Sequence, residues 1–243
     1  MVFSVAFSPD GATLAAGGRD SRIRLYDVSN GKKIRTFVYR PLTSFSGNIW
    51  AVAFSPDGLI LASTGSGGIR VWEVGTGRHT TTLSRYPANS VAFSPDGTVL
   101  ASGGPHGTVQ IWDMKTGQSI ATLTGHTKAV TSVVFSPDGA VLASGGDRTV
   151  RVWEVGASNN ILTFNGIHGD SFLERVRSIA FSPNGRLLAA AGDKTIRLWD
   201  VETGRNIATL NGHTDAVQSI AFSPEGALLA SGGGDKTIRL WNI

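Results

Sequence analysis

The sequence predicts an all-β fold of six repeated antiparallel sheets, and three observations carry that prediction. A Phe-Ser-Pro-(Asp/Asn/Glu)-Gly segment occurs six times, beginning at Phe7, Phe54, Phe93, Phe135, Phe181 and Phe222. Each is followed 18 or 19 residues later by an aromatic residue with an acidic or amide neighbour: Tyr26-Asp27, Trp72-Glu73, Trp112-Asp113, Trp153-Glu154, Trp199-Asp200 and Trp241-Asn242. Between these marks lie short β-branched and aromatic runs separated by Gly-rich turns, and no helix-period segment of useful length competes with them. From each aromatic to the next Phe the distance is 28, 21, 23, 28 and 23 residues, so each repeat holds one rigid unit and the length variation sits in one connection.

Within a unit the elements follow in order. In the last repeat, Val217 to Phe222 reads as an inner strand that runs into Ser-Pro-Glu-Gly, where Pro presets φ and Gly relieves the strained end of a β-turn. Ala227 to Ser231, apolar and short, is the second strand, and Thr237 to Trp241 the third. Five units add a fourth strand after a polar turn: Lys33 to Phe37, His79 to Leu83, Ser119 to Leu123, Asn160 to Phe164 and Asn206 to Leu210.

Composition agrees with this reading. The 243 residues are 41% hydrophobic but only 16% charged, where about 25% is usual, and 31 are glycine, a balance that favours tight turns and buried strands over long solvated helices. The formal charge of +4 is too small to imply a nucleic-acid or membrane partner. With no cysteine, disulfide frameworks, thiolate metal sites and Cys nucleophiles are excluded; secreted and cytosolic locations both stand, with the cytoplasm favoured. The apolar opening Met1 to Phe7 lacks a basic leader and breaks at Ser8-Pro9-Asp10-Gly11, so it does not read as a signal peptide. No stretch approaches the roughly 18 apolar residues of a membrane span.

Four short antiparallel strands cannot bury two faces alone, whereas copies arranged radially hide both. A period of about 40 to 45 residues, with Gly125-His126 or Gly212-His213 before and an aromatic-acidic pair after, resembles the WD40 repeat. The resemblance covers the whole chain in six copies. It implies one domain over residues 1–243, a six-bladed β-propeller of antiparallel four-stranded blades whose last blade lacks its outermost strand.

His126 with Ser144, Asp147 and Trp153, and His213 with Ser231, Asp235 and Trp241, carry the residue types of a Ser-His-Asp triad. The resemblance gives them another role, an internal hydrogen-bond network ending on the Trp indole. Buried polar groups must be paired, and four satisfied groups in a chain stiffen a blade. A triad also needs an exposed nucleophile and an oxyanion hole, which nothing in the sequence supplies. Unit five has Ala190 at the Ser position, unit three His106 and unit two Ser66 at the Asp position; units one to three also lack Gly-His and are expected to be held mainly by packing, or by contacts the sequence does not display. No catalytic residue, metal ligand or cofactor is expected.

Function should sit where the chain departs from its repeat. The two 28-residue connections contain enlarged loops, one with Tyr39, Arg40, Leu42 and Phe45, the other with Ile167, His168, Phe172, Leu173, Glu174 and Arg175. In a ring of six they would face each other across one rim. By the resemblance, the residue four before each Phe lines the channel mouth on that rim: Phe3, Trp50, Asn89, Thr131, Arg177 and Gln218. The residue before the Asp position joins them, and there Arg19 is the one long side chain among glycines and Pro105. Trp and Arg are enriched at binding hot spots. The leading expectation is a non-enzymatic scaffold that binds a protein or peptide on this rim, with Trp50 as apolar anchor and Arg177 as partner for a carboxylate or carbonyl. The alternative for Trp50 is packing against the loop before it. A second functional reading is assembly: the missing outer strand marks either an excerpt of a longer protein or an exposed edge from Thr237 to Asn242 that recruits a further copy.

Overall fold

A computed structural model describes residues 1–38, 47–156, 160–164 and 175–243. They form six separate antiparallel sheets, one per repeat. Blade 1 contains β1 (Val2–Phe7), β2 (Thr13–Gly18), β3 (Arg22–Asp27) and β4 (Lys33–Val38); blade 2 contains β5 (Ile49–Phe54), β6 (Ile60–Gly65), β7 (Gly68–Glu73) and β8 (His79–Ser84). Blade 3 contains β9 (Ser90–Phe93), β10 (Val99–Gly103), β11 (Thr108–Asp113) and β12 (Ser119–Thr124); blade 4 contains β13 (Ser132–Phe135), β14 (Val141–Gly145), β15 (Val150–Glu154) and β16 (Asn160–Phe164). Blade 5 contains β17 (Ser178–Phe181), β18 (Leu187–Ala191), β19 (Thr195–Asp200) and β20 (Asn206–Asn211). Blade 6 has three strands, β21 (Val217–Phe222), β22 (Leu228–Gly233) and β23 (Ile238–Asn242), as the sequence predicts. Strands pair in chain order, so every connection within a blade is a hairpin.

The Ser-Pro-x-Gly turns explain the first hairpin of each blade. In blade 2 the Ser55 hydroxyl donates to Asp57 at 2.5 Å and accepts from the Ile60 N–H at 3.0 Å, while Gly58 takes a left-handed φ of +72°. That conformation favours glycine because a Cβ would crowd the following carbonyl. The same Ser–Asp pair closes the turns at Ser94 with Asp96 and Ser136 with Asp138.

The described residues group into two compact units, Met1–Pro105 with Gln110–Thr122, and His106–Val109 with Leu123–Ile243. Within the first, one core joins blades 1 and 2 through Ile23, Leu25, Phe37, Val52, Leu61 and Trp72, and another joins blades 2 and 3 through Ile69, Val71, Leu83, Val91, Leu100 and Trp112. Within the second, Val150, Val152 and Phe164 of blade 4 pack on Ile179, Leu188 and Trp199 of blade 5, and Ile196 and Leu198 on Val217, Ile220 and Leu229 of blade 6. The period-2 alternation of each strand puts one set of apolar side chains on each face, so an inner blade is buried on both sides. No helix of the described residues is long and apolar enough to cross a membrane.

Candidate functional site

The two His constellations form in blades 4 and 6. The His126 Nδ1–H faces Asp147 Oδ1 at 2.6 Å, and His126 Nε2 meets the Ser144 hydroxyl at 2.8 Å. Trp153 donates its indole N–H to the same Ser144 oxygen at 2.8 Å. Asp147 also accepts from the Thr127 backbone N–H, from the Thr127 hydroxyl at 2.7 Å and from the Thr149 hydroxyl at 2.7 Å. Blade 6 repeats the set: His213 to Asp235 at 2.9 Å, His213 to Ser231 at 2.8 Å and Trp241 to Ser231 at 2.9 Å.

The polar groups of these networks are turned on one another. Ser144 is fully buried and its oxygen is held by both His126 and Trp153. Burial pushes the His126 pKa below its ordinary value, against the opposing pull of Asp147. Burial resists ionisation of Asp147, but the hydrogen bonds from His126, Thr127 and Thr149 outweigh it and hold the carboxyl well below the usual range. For Asp235 the Thr237 hydroxyl is the largest influence in the same direction. No cluster of metal-ligating side chains occurs among the described residues.

Units two and three are held by more than packing. Trp72 donates to the Ser63 hydroxyl at 2.8 Å and Trp112 to Ser102 at 2.9 Å. The signal was in the sequence: Ser63, Ser102, Ser144 and Ser231 each lie nine residues after their repeat Phe. A truncated network survives where the histidine is missing.

The six residues that stand four positions before each repeat Phe lie at the starts of the inner strands. In the first unit, Phe3 and Trp50 sit at β-bulges, where pairing shifts between Val2 and Ser4 and between Ile49 and Ala51. In the second unit Gln218 does the same between Val217 and Ser219. A bulge adds one unpaired residue and re-aims its side chain. Asn89, Thr131 and Arg177 instead directly precede their strands, each donating its backbone N–H to the second strand of its blade: to Gly103, Gly145 and Ala191, at 2.8 Å each. The bulges depend on pairing register and were not readable from the sequence.

Their surroundings differ. Trp50 is half-buried, whereas Phe3, Arg19 and Gln218 are exposed. Arg19 is tied through its backbone N–H to the Met1 carbonyl at 3.0 Å. Gly65 and Gly192 stand at the equivalent position in blades 2 and 5, where a Cβ would run into the Asn48 and Arg175 carbonyls. In the second unit Arg177 reaches across blades to donate from Nη1 to Gln218 Oε1 at 3.4 Å, and the Thr131 hydroxyl donates to the carbonyl of Val176, next to Arg177. Arg175 is exposed. Of the loop residues proposed as walls, Tyr39, Arg40, Leu42, Phe45, Ile167, His168, Phe172, Leu173 and Glu174 lie outside the described residues.

Repeated three- and four-stranded blades, the Trp-Ser-His-Asp networks and the Ser-Pro-x-Gly turns define a class of protein built from WD repeats. The chain belongs to the WD40 family: the WD domain, G-beta repeat matches it at residues 1–27, 39–73, 77–113, 117–154, 161–200 and 204–242. It is similar to Protein Notchless of Drosophila melanogaster, 32% identical over 173 residues, which cover 68% of this chain and 35% of that protein. The chain thus matches about a third of that relative's length. WD40 propellers are typically protein-interaction scaffolds and are generally non-enzymatic.

Proposed function

We propose that this chain is a non-enzymatic scaffold that binds a protein or peptide partner through the mouth residues of its inner strands. Trp50 supplies an apolar surface on the first unit, with Phe3, Arg19 and Asn89 near the starts of the inner strands around it. Arg177 supplies a cation on the second, oriented by Gln218 and flanked by Thr131. The observation that carries the reading is the bulge at Trp50: a half-buried indole on an extra, unpaired residue is held in place without being used by the ladder. Neither nucleic acid nor a cofactor enters this reading.

The test is capture of partners from a lysate by the wild-type chain and by the Trp50→Ala, Arg177→Ala double variant, with thermal unfolding to check the fold. A protein retained only by the wild type supports rim recognition. Equal capture by both removes it. The alternative, assembly through Thr237 to Asn242, is favoured by one observation: β23 ends its sheet with Ile238 and Leu240 exposed.

A further inference from the structure

We propose that one end of blades 4 and 5 is a docking surface for an acidic peptide segment, a chain that presents a run of Asp or Glu side chains. This rests on the reading of the protein as a scaffold and names the chemistry of its partner.

The start of an inner strand and the turn after the second strand share one end of a blade, because Ser132 pairs with Gly145 and Ser178 with Ala191. Hydrogen bonds bring these ends of blades 4 and 5 together. The Val176 N–H donates to the Gly146 carbonyl at 3.1 Å, and the Thr131 hydroxyl donates to the Val176 carbonyl. The lead into blade 6 is tied on in the same way, the Val217 N–H donating to the Asp193 carbonyl at 2.9 Å. Lys128 stands on the connection into blade 4, Arg175 and Arg177 directly before β17, and Lys194 on the turn between β18 and β19. All four cations therefore share that end.

Lys128, Arg175 and Lys194 are exposed and Arg177 is half-buried. Among the described residues none of the four forms an ion pair. Arg177 Nη1 is held only by the neutral Gln218 oxygen, and its Nε is buried without a hydrogen-bond partner among the described residues. Lys194 reaches water although blade 5 packs against a neighbour on each face, so its exposure does not come from a bare flank. The carboxylates at this end do little to offset these charges: Asp147 is bonded into the His126 network, Asp193 is buried, and exposed Asp215 accepts the Ala216 N–H at 2.7 Å. At the opposite end of the same two blades Asp138, Glu154 and Glu202 are exposed, and Arg186 is paired with Asp200 at 3.2 Å.

Unpaired cations gathered at one end attract a partner of complementary charge. They stand on three separate segments, which suits single carboxylates spaced along an extended chain. Single-stranded nucleic acid is held on aromatic side chains that stack with its bases, and no Phe, Tyr or Trp among the described residues of the second unit is exposed.

Fluorescence anisotropy of a labelled oligoglutamate peptide, with oligoglutamine and a labelled single-stranded DNA oligonucleotide alongside, tests this. The wild type is expected to bind oligoglutamate saturably and oligoglutamine not at all, with affinity falling as salt rises from about 0.05 M to about 0.5 M. Lys128→Glu with Lys194→Glu is expected to weaken binding about tenfold or more. Lys115→Glu with Arg205→Glu makes the same change in net charge at the other ends of the blades and is expected to bind as the wild type does. No binding of oligoglutamate overturns the proposal, as do equal losses in the two double variants or tighter binding of the oligonucleotide. Circular dichroism checks that the variants fold, and Lys128→Gln with Lys194→Gln repeats the experiment should the reversed charges disturb the blades. The two readings fail separately. No oligoglutamate binding beside partner capture that is lost in the Trp50→Ala, Arg177→Ala variant removes the acidic partner alone. Oligoglutamate binding beside unchanged capture upholds the acidic partner and removes the Trp50 anchor.

Discussion

Phe37 of blade 1 stacks on Trp72 of blade 2, ring centroids 5.7 Å apart and planes 25° from parallel, so the outermost strand of one blade closes over the signature aromatic of the next. Phe164 and Trp199 repeat the arrangement between blades 4 and 5 at 5.1 Å. An apolar residue stands near the end of every fourth strand, Phe37, Leu83, Leu123, Phe164 and Leu210, and Leu83 and Leu210 share core clusters with Trp112 and Trp241. The stacking couples neighbouring blades rather than stabilising either alone.

Truncating Phe37 should therefore weaken the joint. Phe37 is almost wholly buried, and Phe37→Ala is expected to cost about 3 kcal/mol or more, the usual range for such a deletion in a core. Urea unfolding followed by tryptophan fluorescence measures it, and a loss under about 1 kcal/mol would show that the stack contributes little.

Ser144 and Ser102 separate the full network from the truncated one. Ser144→Ala leaves both the Trp153 indole N–H and His126 Nε2 without a partner, at about 2 kcal/mol or more. Ser102→Ala strands the Trp112 indole N–H, at about 1 kcal/mol. Equal losses in urea titrations would contradict the difference in connectivity.

Acid should destabilise the chain in two steps. The folded pKa of His126 lies below the ordinary 6.5, so the unfolded chain takes up more protons once the pH falls beneath that value. Stability is full above 6.5 and declines as the pH falls toward the folded pKa; His79, also pushed down by burial, adds to this step. Asp147, held low by its hydrogen bonds, contributes stability above 3.8 that is lost below it. The Tm is expected to drop over the range below about pH 6.5, and His126→Asn to shrink that drop. A wild-type Tm that is flat over this range contradicts the assignment.

Gly77 and Gly31 hold the same turn position with nearly the same φ, +76° and +68°. A Cβ on Gly77 would meet the Phe37 ring at 3.0 Å, whereas Gly31 faces open space. Gly31→Ala carries only the left-handed strain of about 1 kcal/mol. Gly77→Ala adds a collision with the stacked ring and is expected to cost more in the same unfolding assay.

Much of this was legible in the residues. The Phe-Ser-Pro repeat and the Trp positions placed the strands of the last blade within two residues of where they lie, because turn chemistry and alternation both act locally. His126, Ser144, Asp147 and Trp153 were readable from constant spacing. The bulges at Phe3, Trp50 and Gln218 were not, since a bulge is set by pairing register across two strands. Nor were the serine contacts from Ser4, Ser132 and Ser178, which join residues more than forty positions apart.

The most direct test of the scaffold reading is calorimetric titration of a partner captured by the wild type against the wild type and Trp50→Ala. The bulged indole as binding anchor predicts affinity weakened about tenfold or more with the Tm unchanged, the loss expected of a hot-spot residue. Unchanged affinity in a folded Trp50→Ala chain would contradict it.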